Sequence, residues 1–146
     1  FTRLGDRIVF SAEDEEHGLE LWVTDGTYPG TALLKDVAPG LASSVPDDLV
    51  VRDGLLYFSA WSPNYGREAW KSDGTAAGTV RISDVAPGPR SSSPQRFARA
   101  GNRLYFSATD QVHGYELWAI SDNGSVPLFL DGFENESTSR WSETTP

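Results

Sequence analysis

The chain repeats itself with a period of 48 residues. Ser11-Ala12 behind Phe10 returns as Ser59-Ala60 behind Phe58 and as Ser107-Ala108 behind Phe106. Gly18, Glu20 and Trp22 return as Gly66, Glu68 and Trp70, then as Gly114, Glu116 and Trp118. The first two copies align without a gap and share 19 of 48 positions, too many for chance pairing of turn residues. A period of about 40–50 residues is the signature of modular β architectures such as propeller blades, in which every copy solves the same packing problem.

The second copy is complete and reads as four strands. Residues 48–52 form a short apolar strand, and Asp53-Gly54 favours a two-residue type I′ hairpin turn, with Gly5-Asp6 and Gly101-Asn102 at the matching places. Residues 55–60, rich in bulky and aromatic side chains, return as a second strand. A loop over residues 61–66 leads to a third strand at 67–71, a turn at Ser72-Asp73-Gly74-Thr75, and a fourth strand at 80–85. Ala86-Pro87-Gly88 opens a connector of residues that cannot continue a ladder. Sustained helical periodicity is absent. The expected fold is all-β: three four-stranded antiparallel repeats, 1–48, 49–96 and 97–130, resembling propeller blades, followed by a tail at 131–146.

Strand alternation sorts the recurring residues. Glu20 and Trp22 share a face, as do Glu68 and Trp70, and Glu116 and Trp118. A Trp in the same place in each copy is a packing element between sheets. A carboxylate beside it is costly unless hydrogen-bonded, so each Glu is expected to accept bonds from backbone N–H groups of a neighbouring turn or repeat. Three equivalent Glu residues argue against catalysis, which needs one special group. Asp25 and Asp73 in the Asp-Gly-Thr turns read as turn formers whose carboxylates bond nearby N–H groups.

Where the copies disagree, chemistry has room. Glu13-Asp14-Glu15-Glu16 is a dense acidic loop with oxygen ligands suited to Ca²⁺, although it lacks the Asp/Asn and Gly spacing of a calcium loop. Trp61, Asn64, Tyr65 and Tyr28 are loop residues that packing does not demand, and aromatics beside amides can stack on sugar rings. His17 and His113 sit in different copies and form no nucleophilic arrangement with a Ser and an Asp. The formal net charge of −9 disfavours nucleic acid, which needs a basic face. No stretch approaches the roughly 18–20 apolar residues of a membrane span. With no cysteine, disulfides and thiolate metal sites are excluded.

At Glu20-Leu21-Trp22-Val23-Thr24-Asp25-Gly26-Thr27, then Gly30-Thr31 and Lys35-Asp36-Val37-Ala38-Pro39-Gly40, the chain resembles the bacterial ELWxxDGT repeats. The second copy departs with Ala69 for Leu. The third keeps Glu116-Leu117-Trp118 and then breaks, with an extra residue in Ser121-Asp122-Asn123-Gly124-Ser125. The resemblance implies an exported, multi-repeat, propeller-like protein of the bacterial exterior and no transferable enzymatic activity. Asp131-Gly132-Phe133-Glu134 with Trp141-Ser142 is similar to a short tail that closes many exported proteobacterial proteins.

Propellers need about four to eight blades, so three repeats leave two faces open. The expected partners are further repeats upstream of Phe1 or other copies of the chain. A β-trefoil, with three repeats of four strands, is the alternative closure. The functional expectation is a non-catalytic structural or adhesive module without an obligatory cofactor, facing a glycan or surface partner. The alternative is a carbohydrate-binding module using the loop aromatics.

Overall fold

The computed structural model describes residues 1–121 and 128–129. The altered turn of the third copy, residues 122–127, and the tail with its Asp-Gly-Phe-Glu and Trp-Ser signals lie outside the described residues.

Among the described residues, twelve strands form three four-stranded antiparallel sheets, each following chain order. Sheet 1 holds β1 (Thr2–Leu4), β2 (Arg7–Ala12), β3 (Glu20–Thr24) and β4 (Ala32–Lys35). Sheet 2 holds β5 (Asp47–Arg52), β6 (Leu55–Ser62), β7 (Gly66–Ser72) and β8 (Val80–Arg81). Sheet 3 holds β9 (Gln95–Ala100), β10 (Arg103–Thr109), β11 (Tyr115–Ser121) and β12 (Leu128–Phe129). The described residues contain no helix.

Several boundaries differ from the sequence expectation. Sheets 2 and 3 begin at Asp47 and Gln95, each two residues ahead of the repeat boundaries set at 49 and 97. The fourth strand stops at Arg81 instead of 85, because the Ser83 side chain, and not a ladder carbonyl, meets the Ala69 N–H (2.9 Å). Trp61 and Ser62 belong to β6, paired with Arg67 and Gly66, and leave a loop of only three residues. Asp53 and Gly54 both have positive φ (51° and 78°), as a type I′ turn requires, whereas in the Gly5-Asp6 and Gly101-Asn102 hairpins only the glycine does (61° and 58°). The trefoil alternative does not hold: a closed barrel needs ladders between strands of different repeats, and among the described residues none crosses from one sheet to another.

Packing occurs between sheet faces. Val9, Leu21, Val23 and Leu34 of sheet 1 bury against Leu56, Phe58, Ala60 and Trp70 of sheet 2. The other face of sheet 2, with Tyr57 and Ala69, packs on Phe97, Leu104, Phe106, Trp118 and Ile120 of sheet 3. The first strands β1, β5 and β9 lie next to one another on one side of the stack. There the Asp48 carboxylate accepts the Arg96 N–H. At the hairpin end of sheet 1 the Arg7 guanidinium donates to the Gly74 carbonyl (2.9 Å), tying the two sheets together.

Cross-strand pairing lines up Phe10 with Trp22, Phe58 with Trp70 and Phe106 with Trp118. Phe58 and Phe106 are 0% and 1% exposed because a preceding sheet covers them, while Phe10 and Trp22 of sheet 1 are only half-buried. On the opposite faces the order reverses. Leu21 and Ala69 are fully buried, and their counterpart Leu117 on sheet 3 is 40% exposed beside Tyr115 at 56%. Equivalent positions thus change environment with place in the stack.

Candidate functional site

The recurring Glu residues are embedded in hydrogen bonds. Glu20 is fully buried and accepts from the N–H groups of Val37 (2.9 Å), Ala38 (3.1 Å) and Ser44 (2.9 Å), and from the Ser44 hydroxyl (2.6 Å). The Ser44 carbonyl in turn accepts the N–H of Trp61 on sheet 2 (2.8 Å), so Glu20 holds the connector that holds the next repeat. Glu68, also fully buried, accepts from the Ser83 hydroxyl (2.6 Å) and the N–H groups of Val85 (3.1 Å) and Ala86 (3.3 Å). Glu116 is half-buried. The half-buried Arg67 guanidinium adds a second link over the same boundary, donating to Val45 O (2.9 Å) and the Ser59 hydroxyl (3.1 Å). Nothing in the repeat marked Arg67, because its counterparts are Leu19 and Tyr115.

The Asp-Gly-Thr turns form a second closed network, identical in both described copies. The Asp25 carboxylate accepts the Thr27 N–H (2.9 Å) and hydroxyl (2.7 Å), the Thr27 hydroxyl accepts the Gly30 N–H (3.0 Å), and the Thr31 hydroxyl donates to Thr27 O (2.7 Å). Asp73, Thr75, Gly78 and Thr79 repeat it at 2.9, 2.7, 2.9 and 2.7 Å. The bonds from Thr27 and Thr75 hold both carboxyls below the ordinary Asp range. A methyl on Gly30 or Gly78 would lie 1.9 or 2.1 Å from the Asp carboxylate, which explains the Gly-Thr that follows each turn.

The acidic loop is organised locally. The Asp14 carboxylate accepts the N–H groups of Glu16 (2.9 Å) and His17 (2.6 Å) and meets the His17 ring nitrogen (2.9 Å). Burial pushes Asp14 up, but these bonds outweigh it and leave the carboxyl lowered. Asp110 does the same with Val112, His113 and the His113 ring (2.8, 2.8 and 2.7 Å), and the His113 and Val112 N–H bonds depress it to about 2. An Asp-x-x-His spacing in the first and third copies signals this pair, although the sequence suggested only scattered acids and histidines. Glu13, Glu15 and Glu16 are exposed, and among the described residues no three acidic or histidine side chains gather as a metal site.

The glycan candidates are not brought to one place. Trp61, Asn64 and Tyr65 share the β6–β7 hairpin, where Trp61 is half-buried and the Arg81 guanidinium covers one face of Tyr65 at 3.7 Å. Tyr28, 96% exposed, follows the Asp-Gly-Thr turn after β3, which lies at the opposite end of the strands. A cleft of about 640 Å³ opens between sheets 2 and 3, lined by Leu55, Tyr57, Ile82, Asp53, Lys71, Arg81 and Arg99 among others.

Fold and side-chain networks together define an all-β repeat protein of face-packed four-stranded sheets. No protein-family model matches the chain, and no match was found among curated proteins or solved structures.

Proposed function

We propose that the chain is a non-catalytic structural or adhesive module of the bacterial exterior, whose sheets stack as propeller-like blades and whose outer faces pack on further sheets of the same kind. The observation that carries this reading is the exposure gradient. Phe10 and Trp22 repeat the Phe58–Trp70 pair that buries on a preceding sheet, and Leu117 repeats the Leu21 position that buries on a following one. A second copy adding its sheet 3 to the sheet 1 of the first would reproduce the internal interface head to tail. Uncovered apolar faces of this kind favour association. The recurrent Glu and Asp carboxylates support a non-catalytic role, since their oxygens are engaged by the chain's own N–H and hydroxyl groups. The resemblance to exported ELWxxDGT repeats supports the location.

Sedimentation of the chain over a concentration series tests the packing. Association is expected, weakened by Leu117→Arg, whose exposed position leaves folding intact. A folded species that stays at 15.9 kDa at the highest concentrations would sink self-association. The carbohydrate reading rests on Trp61 and Tyr65 sharing one hairpin. It requires neutral-glycan binding on an array that Trp61→Ala removes, and an array with no binder would eliminate it.

A further inference from the structure

The second inter-sheet layer departs from the first in a way that packing does not call for. In the first layer, Val23 of β3 is buried and Val51 of β5 packs against the core that joins sheets 1 and 2. Their counterparts 48 residues on are Lys71 of β7 and Arg99 of β9, and both line the cleft between sheets 2 and 3. Two aliphatic positions have become cations within one layer of a chain whose net charge is −9. Both side chains are half-buried, so each cation keeps part of its hydration and gains by pairing with an anion.

Arg99 is answered within the chain: its Nε lies 2.8 Å from Asp53, and its Nη1 donates to the Tyr57 hydroxyl at 3.2 Å. Lys71 is not. Among the described residues no carboxylate pairs with its ammonium and no acceptor is bonded to it. Arg81, which also lines the cleft, pairs with Asp84 at 3.2 Å. The cleft therefore presents one unpaired cation, Lys71, beside the apolar side chains of Leu55, Tyr57 and Ile82. Asp53 and Asp84 also line it, paired with Arg99 and Arg81 respectively. Its volume, about 640 Å³, is that of a small-molecule site.

We propose that this cleft binds an acidic sugar. The sugar carboxylate would meet Lys71 in a charge-assisted contact. The C–H face of the ring would lie on the side chains of Leu55, Tyr57 and Ile82, and its hydroxyls would donate to the Asp53 and Asp84 carboxylates. A neutral hexose fits the same side chains but leaves Lys71 unanswered, so the site discriminates by charge. Arg81 links the two places, lining the cleft while its guanidinium covers Tyr65 at 3.7 Å, but Lys71, which carries this proposal, has no part in the Trp61–Tyr65 hairpin.

Heteronuclear NMR titration of the whole chain with galacturonate and with galactose tests the proposal. Galacturonate is expected to bind about tenfold more tightly, the scale of one hydrogen-bonded charge contact, and to shift signals of Leu55, Ile82 and Leu104. Lys71→Val installs the residue of the first layer. It should abolish the preference without lowering the melting temperature, whereas Lys71→Arg should retain it and Trp61→Ala should leave it untouched. Equal binding of the two sugars, no binding of either, or a preference that survives in folded Lys71→Val would each overturn the proposal.

Discussion

Replacing Glu20 by Gln keeps size and shape but turns one acceptor oxygen into a donor. The buried carboxylate faces three N–H groups and one hydroxyl, with two bonds on each oxygen. The amide nitrogen does least damage at the Oε2 position, where the Ser44 hydroxyl can rotate to accept from it. The Val37 N–H then faces a donor and is orphaned, at about 1–3 kcal/mol for a buried unsatisfied group. The remaining contacts, from Ala38 and Ser44, lose their charge assistance, roughly another 1 kcal/mol each. Relief of the carboxylate's desolvation offsets part of this. A net loss of about 2–4 kcal/mol is expected, a large share of the ~5–15 kcal/mol that holds a domain together. Glu68→Gln should cost less, because a Gln nitrogen at Oε1 there sacrifices only the long Ala86 contact at 3.3 Å. Urea unfolding followed by tryptophan fluorescence measures both. A Glu20→Gln change under about 0.5 kcal/mol, or a Glu68→Gln cost exceeding it, would refute the account of Glu20 as the clamp on the connector.

Gly78→Ala should destabilise by about 1–3 kcal/mol through its clash with the Asp73 carboxylate. In the Asp73→Ala background that cost should largely disappear, and an additive double-mutant cycle would contradict the network. Val45 has φ of 47°, a left-handed value that a β-branched residue adopts at about 1–2 kcal/mol. Val45→Asn, with the backbone bonds to Leu19 and Arg67 kept, should therefore raise the denaturation midpoint, and an unchanged or lower one would count against it. Asp110 titrates near 2 when folded and near 3.8 otherwise, so the stabilisation from its ionised form is present above about pH 4 and fades as pH falls toward 2. Asp110→Asn should remove that share of the acid sensitivity, seen as a smaller fall in melting temperature between pH 5 and pH 2.5.

Much of this structure was legible one repeat at a time. The Asp53-Gly54 hairpin, the Asp-Gly-Thr turns and the Glu acceptors follow from residues separated by two to about 25 positions, so period and alternation exposed them. The short fourth strand escaped prediction because residues 82–85, Ser83 among them, read as its continuation. Only in the fold does the Ser83 hydroxyl bind Glu68 and the Ala69 N–H in place of a ladder. That Tyr28 lies far from Trp61 was not legible for a related reason: composition says that a residue is in a loop, not at which end of the strands that loop lies.

By itself the 48-residue period determined the strand count, the antiparallel order and the local bonding of each turn, because steric limits and hydrogen bonds act over a few residues in every copy alike. Tertiary structure alone decided what identical residues experience. Phe58 and Phe106 are sealed while Phe10 is not, and Leu21 is sealed while Leu117 is not, since burial depends on a neighbouring sheet. Lys71 and Arg99 lie 28 residues apart, and face-to-face packing of sheets 2 and 3 is what brings them into one cleft.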